Sequence, residues 1–238
     1  MEPTISAEQV EAIVRNLHHD PFQILGPHEL EVNGHKNWVV RAFVPDSTEV
    51  YLLNPETGEE YPMRSAHNEH FFEVVLPGPE EIFMYQYRIV AMNGHERFVY
   101  DPYFFLPQMG ELDLYLFGQG DHHKIYEKLG AHPMEVNGVQ GVYFSVWAPN
   151  ARNVSVIGNF NVWHGGKHQM RVLGSSGVWE LFVPDIGVGE VYKYEVKDQA
   201  GNIFEKSDPY GFQFEVRPAT GSIVADINKY RWADQEWM

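Results

Sequence analysis

Hydrophobic and polar residues alternate with a period of two through most of this chain. The pattern is clearest in Val142 to Ala148 and Asn153 to Gly158, on either side of the turn Pro149-Asn150-Ala151-Arg152. Such alternation marks strands with one face in a core, and the two runs read as a hairpin followed by an exposed Asn159-Phe160-Asn161-Val162-Trp163. Five earlier runs share the pattern: Trp38 to Val44, Glu49 to Leu53, His70 to Leu76, Phe83 to Val90 and Glu96 to Tyr100. Turn residues punctuate them at Pro45-Asp46, Asn54-Pro55, Pro77-Gly78-Pro79 and Asn93-Gly94, the last a hairpin signal. A helical period appears only at Ser6 to Leu17, where Ala7, Val10, Ile13, Val14 and Leu17 form one face. Ser6 and Gln9 have capping-box spacing, and His18-His19-Asp20-Pro21 ends the helix.

The pattern then repeats. Leu25-Gly26-Pro27-His28 matches Leu129-Gly130-Ala131-His132, and Phe43-Val44-Pro45 matches Val146-Trp147-Ala148-Pro149 loosely. Phe72 to Pro77 matches Trp179 to Pro184, Tyr85-Gln86-Tyr87 matches Tyr192-Lys193-Tyr194, and Asp101-Pro102-Tyr103 matches Asp208-Pro209-Tyr210. The early blocks lie 104 positions apart and the later ones 107, so the second copy has extra residues where Asn161 to Arg171 lies. A spacing held over five blocks signals tandem duplication. Short, evenly spaced strands predict an all-β chain: two tandem immunoglobulin-like β-sandwiches with a short N-terminal helix. The expected divisions are 1–108 for the first sandwich, 109–120 for a connection, 121–226 for the second sandwich, and 227–238 for the start of a linker. Leu112, Leu114, Leu116 and Phe117 predict that the connection packs against one module.

Charge narrows the partners. With 17 Lys and Arg against 33 Asp and Glu, the formal charge is −16, which disfavours nucleic acid and anionic membrane. There is no Cys, hence no disulfide or thiolate chemistry, as suits the cytoplasm. No basic and apolar leader opens the chain, and no run reaches the length of a membrane span.

Candidate chemistry is sparse. None of the His residues has metal-ligand spacing with a Glu or Cys, and no nucleophile elbow, phosphate loop or dinucleotide fingerprint occurs. No metal or other cofactor and no catalytic residue is expected. The repeated Asp-Pro-Tyr reads as a structural corner. What remains is a binding surface at Asn161-Val162-Trp163, beside Gly165-Gly166. An indole there suits the apolar C–H face of a pyranose, with nearby amide and ammonium donors for its hydroxyls. The alternative, that Trp163 tucks back over the sandwich edge, stands beside it with equal weight.

Val154 to Met170, VSVIGNFNVWHGGKHQM, resembles the glycogen-type carbohydrate-binding module of family 48, with its G-x-F-N-x-W motif. The segments around Tyr126 to His132, Val146 to Ala151 and Ser207 to Gly211 resemble bacterial 1,4-α-glucan branching enzymes, as do Leu17 to His28 and Trp232 to Met238. The resemblance implies the two N-terminal sandwiches of such an enzyme, whose catalytic residues lie on a following barrel. It implies binding and positioning of α-glucan (glycogen, amylose, maltooligosaccharide), through Trp163 and Lys193 with Asn161 beside them and an aromatic matched by Phe204. The alternative is a scaffold that docks on the catalytic barrel with little glucan affinity of its own. Trp163-His164-Gly165-Gly166 replaces the usual W-D-G-R, and the late Asn of strong binders has no match around Thr220 to Ile223; both departures lower the implied affinity. Leu53-Asn54-Pro55 stands where the second module has its Trp motif, so the first module is expected to be a spacer.

Overall fold

A computed structural model describes residues 2–32, 34–78, 81–227 and 229. The tryptophan-containing end, 230–238, lies outside the described residues. In the first module, β1 (Gly26–Val32), β2 (His35–Phe43), β5 (Arg64–Ala66) and β6 (Asn68–Pro77) form one antiparallel sheet, ordered β1-β2-β6-β5. The facing sheet is β4-β3-β7-β8, from β3 (Ser47–Leu53), β4 (Glu60–Pro62), β7 (Gln86–Ala91) and β8 (Glu96–Tyr100). The second module repeats the plan. Its sheet β12-β13-β10-β9 uses β9 (Gly130–Val136), β10 (Val139–Trp147), β12 (Arg171–Val172) and β13 (Val178–Pro184). Its partner sheet is β11-β14-β17-β16, with β15 added on β14; these are β11 (Ala151–Gly158), β14 (Val191–Asp198), β15 (Ile203–Lys206), β16 (Gln213–Phe214) and β17 (Ser222–Ile223).

The chain is thus built of β-sandwiches, with two helices among the described residues. Several local expectations change. The runs expected to form a hairpin, β10 and β11, do not pair; β10 pairs with β9 and β13, whereas β11 pairs with β14. The turn at Pro149 therefore carries the chain from one sheet to the other. Alternation reports which face of a strand is buried, not which neighbour it pairs with. The Asn93-Gly94 hairpin does form, between β7 and β8. Strands β1 and β9 were not expected, because each contains a proline, Pro27 and Pro133. Both are edge strands, where a missing N–H breaks no ladder.

Helix α1 (Ala7–Val14) starts at the expected Ser6-Gln9 capping box and buries Val10 and Ile13. The connection holds an unexpected helix, α2 (Glu111–Gln119). Leu114 and Phe117 of α2 pack beside Leu129, Leu173 and Val178, while Leu112 and Tyr115 face solvent. This scatter hid its helical period. Asp113 secures its start: the carboxylate accepts from the Gly110 N–H and contacts His122 at 2.9 Å and Lys128 at 3.1 Å.

Two buried motifs recur 107 positions apart. In the first, Asp101 Oδ2 accepts the hydroxyls of Tyr85 and Tyr87, both at 2.7 Å, and Oδ1 accepts the Tyr103 N–H at 2.9 Å. Asp208 repeats it with Tyr192 at 2.6 Å, Tyr194 at 3.3 Å and the Tyr210 N–H at 2.8 Å. Burial raises the pKa of both carboxyls, and the tyrosine and backbone donors oppose that rise. In the second motif, Arg64 and Arg171 reach across the strands to Glu73 and Glu180, at 2.6 and 2.8 Å. Each Glu also holds the segment leading into its module: Glu73 accepts the Thr4 N–H and hydroxyl, and Glu180 the Gln108 and Met109 N–H groups.

The modules are joined on two sides. Phe105 packs edge-on to Phe182 with ring centroids 4.7 Å apart, in a cluster with Val139 and Tyr143. On the other side, the end of α1 and the residues after it lie on the outer face of the β11-β14 sheet. Lys197 Nζ donates to the carbonyls of Arg15 and Asn16, at 3.0 and 2.8 Å. Gln169 Nε2 donates to the Ile13 carbonyl at 2.9 Å, and Asn153 donates to that of His18. Lys and side-chain amides on the last carbonyls of a helix satisfy groups that lack an internal partner.

Removing a buried acceptor strands every donor aimed at it. Tyr85→Phe, which deletes one donor to a carboxylate, is expected to cost about 1.5–3 kcal/mol. Asp101→Ala, which orphans all three donors, is expected to cost at least about twice that in urea unfolding of the whole chain. Equal losses would mean that the carboxylate does not organise the corner.

Candidate functional site

The loop after β11 is built by side chain to backbone bonds. Asn161 is its keystone. Its Oδ1 accepts the Gly158 N–H, and its Nδ2 donates to the Val156 carbonyl and to His168 Nδ1, all at 2.9 Å. These bonds occupy and bury the Asn161 amide, so it shapes the loop rather than presenting a free group beside Trp163. Val162 and Trp163 follow with φ +58 and +59. Left-handed backbone is uncommon outside glycine, and a β-branched residue there is a true outlier. Strain of this kind, of order 1–3 kcal/mol per residue, clusters at functional sites.

The loop turns Trp163 outward. Its N–H donates to the Gly158 carbonyl at 2.9 Å, its indole N–H donates to Asn159 Oδ1 at 3.1 Å, and the residue remains 37% exposed. Both bonds stay within the loop, so the ring is oriented without entering a core cluster. Gly165 lies against the Glu195 carboxylate, two residues along β14 from Lys193 and on the same face. The loop carrying Trp163 therefore folds over that face. Lys193 pairs across the sheet with Ile157, and its Nζ lies 3.3 Å from Glu205 Oε2. Phe204 is on the other side. It pairs with Val196, and side chains alternate along β14, so Phe204 stands with Val196 and buried Tyr194 on the face opposite Lys193. The structure thus places Gly165, two residues after Trp163, and Lys193 on one face, and Phe204 on the other.

The same loop has a second side that faces the first module. Lys167 and His168 line a cavity of about 380 Å³ at the seam, with Arg97 and Tyr100 from β8. Residue types alone did not mark this place, because its walls come from parts of the chain far apart in sequence. Burial first, then the nearby Lys167 and Arg97 charges, pushes the His168 imidazole down to about 3. The repeated histidines His28 and His132 bond instead to the Leu25 and Leu129 carbonyls, at 3.1 and 3.0 Å. No cluster of His, Asp and Glu among the described residues could hold a metal. No described helix is long and apolar enough to cross a membrane.

Residues 6–103 match the N-terminal domain of the alpha-1,4-glucan branching enzyme GlgB. Residues 128–211 match carbohydrate-binding module 48, the isoamylase N-terminal domain. The chain is 56% identical over 236 residues to the 1,4-alpha-glucan branching enzyme GlgB of Thermosynechococcus vestitus, covering 99% of this chain and 30% of that one. The chain belongs to the GlgB branching-enzyme family, in its N-terminal region. The GlgB of Trichodesmium erythraeum is 58% identical over 237 residues, again covering 99% of this chain and 30% of the relative. The chain spans about a third of the length of these GlgB relatives. Among solved structures, a pullulanase from Anoxybacillus sp. LM18-11 aligns at TM-score 0.37 and 17% identity, covering 87% of this chain and 29% of that one, a likeness too loose to build on.

The lowered His168 pKa sets a pH dependence. An unfolded imidazole titrates near 6.5, so folding favours the neutral ring. Its contribution to stability is complete above pH 6.5 and is lost as pH falls from there toward 3. Burial lowers His28 and His132 as well, so wild type is expected to lose stability steadily through this window. His168→Gln is expected to show a shallower decline in urea midpoints taken from pH 7 to 4. An unchanged slope would contradict a neutral His168.

Proposed function

We propose that this branching-enzyme region binds α-glucan chains such as glycogen, amylose and maltooligosaccharides in the cytoplasm. It positions them for a catalytic domain and performs no chemistry itself. The observation that carries this reading is Trp163, outward-facing and oriented by Asn159 on a strained loop whose Gly165 lies against the sheet face that carries Lys193. An oriented indole offers a flat surface to the C–H face of a glucose ring at little entropic cost. The Lys193 ammonium, held near Glu205, supplies donors for hydroxyls. Phe204, on the opposite face, stays outside this platform. Trp163→Ala is expected to weaken retardation of the chain in amylose-containing gels at least about tenfold. Phe204→Ala is expected to leave it unchanged. Equal mobility of wild type and Trp163→Ala would defeat the platform.

A second role, docking on a further domain, is favoured by the repeat. Helices α1 and α2 occupy matching places in their modules: Val10 and Ile13 cluster with Leu25 and Phe71, as Leu114 and Phe117 do with Leu129 and Val178. The C-terminal end of α1 is held by the second module through Lys197 and Gln169, while Glu8 and Glu11 leave its outer side polar and exposed. The outer side of α2 is apolar and open, with Leu112 70% and Tyr115 63% exposed and exposed Trp147 edge-on to Phe117. Such a patch suits an interface with a catalytic barrel. Without that cover, weak self-association is expected in sedimentation velocity at high concentration. Leu112→Ser with Tyr115→Ser should reduce it while leaving amylose retardation intact; association undiminished by the pair would remove the α2 face from consideration.

A further inference from the structure

The seam cavity has a chemistry of its own. First-module residues Phe43 and Tyr100 and second-module residues Phe160 and Ile186 form apolar parts of its wall. Arg97 and Lys167 also line it, as do Asp185 and Glu190. His168 adds a donor whose identity follows from its neighbour. Asn161 Nδ2 donates to His168 Nδ1, so the neutral ring carries its proton on Nε2. At about 380 Å³ the space is near the lower end of the range for small-molecule sites, roughly 300–1,000 Å³.

Charge selects the ligand class. Lys167 is 3.5 Å from Asp46, and Asp185 and Glu190 add further carboxylates, so the cations at the seam are outnumbered by anions. An anionic ligand would meet that excess, and a cationic one would meet Arg97 and Lys167. A purely apolar ligand would strip water from all of these groups and return no hydrogen bonds, which is costly. A neutral polyol can accept from Arg97, Lys167 and His168, donate to Asp185 and Glu190, and lay its C–H faces on the aromatic walls.

We infer that the cavity between the two modules is a second binding subsite for a short α-glucan, distinct from the Trp163 face. The inference rests on the reading that this region binds α-glucan. One loop serves both places: Trp163 points out from it, whereas Lys167 and His168 line the seam. The first module is then half of a binding site and not only a spacer.

The test is an NMR titration of the whole chain with maltotriose, following the backbone amides of Tyr100, Asp185 and His168 together with the Trp163 indole N–H. In the Trp163→Ala background the three seam amides are expected to shift and saturate together. Adding Arg97→Ala and Glu190→Gln, both outside the core clusters, should weaken that seam response at least about tenfold. In wild type these two changes should leave the Trp163 indole response unaltered. Shifts at the indole alone would overturn the seam subsite and leave the glucan platform standing. Shifts at neither place at millimolar excess would overturn both. A seam response indifferent to Arg97→Ala and Glu190→Gln would show that the amides report a remote change, and would likewise overturn the subsite.

Discussion

One buried carboxylate per module closes the sandwich. Tyr85 just before β7 and Tyr87 on it both bring their hydroxyls to Asp101, whose other oxygen fixes the Tyr103 N–H. This holds the chain in the single 3₁₀ turn Pro102–Phe104 and lays the Tyr103 backbone on the first strand. The approach is close: a Cβ at Gly26, where φ is +84, would sit 2.7 Å from the Tyr103 carbonyl oxygen. Gly130, at φ +109, meets the Tyr210 carbonyl in the same way at 3.0 Å. The repeated Leu-Gly-x-His, Tyr-x-Tyr and Asp-Pro-Tyr blocks are thus three parts of one clamp.

A second repeated device gives the tandem its direction. Each module carries a buried Glu, ion-paired to an Arg on the adjoining edge strand, that grips the chain leading into it. Arg64 is partly exposed and Arg171 largely buried, but the Glu is buried in both. A buried carboxylate adds little net stability through its pair yet is costly to leave unpaired, which makes it suited to fixing geometry. In the second module the grip falls on the segment arriving from the first, and Arg171 also stacks over Phe22, 3.9 Å from its ring centre. The relation between the modules is therefore set by the same contacts that set each module's own entrance.

The two copies diverge at the loop after their third strand. In the first, Asn54 Oδ1 accepts the Glu56 N–H at 2.9 Å and turns the chain tightly. In the second, the longer loop is tied back by Asn161, exposes Trp163 and reaches the first module, where Gly166 lies close to Phe43. The His-Gly-Gly at 164–166 acquires a local reason. Gly165 fits over Glu195 and Gly166 against Phe43, and a side chain at either place would press on its neighbour.

Local residue chemistry was sufficient to specify the duplication, the alternating strands, the capped α1 and the Asp-Pro-Tyr corners, because each depends on residues close in sequence or repeated at a constant offset. It also singled out Trp163, an aromatic in a loop with no slot in the alternating pattern. Pairing partners were decided only in three dimensions, since the same alternation serves a hairpin and a crossing between sheets, as β10 and β11 show. So was the sorting of site residues. Asn161 turned into the loop because its amide met three backbone and ring partners there, and Phe204 fell opposite Lys193 because β15 pairs with β14 in that register. The seam cavity belonged wholly to tertiary structure: its walls come from segments that meet only when one folded module packs on the other.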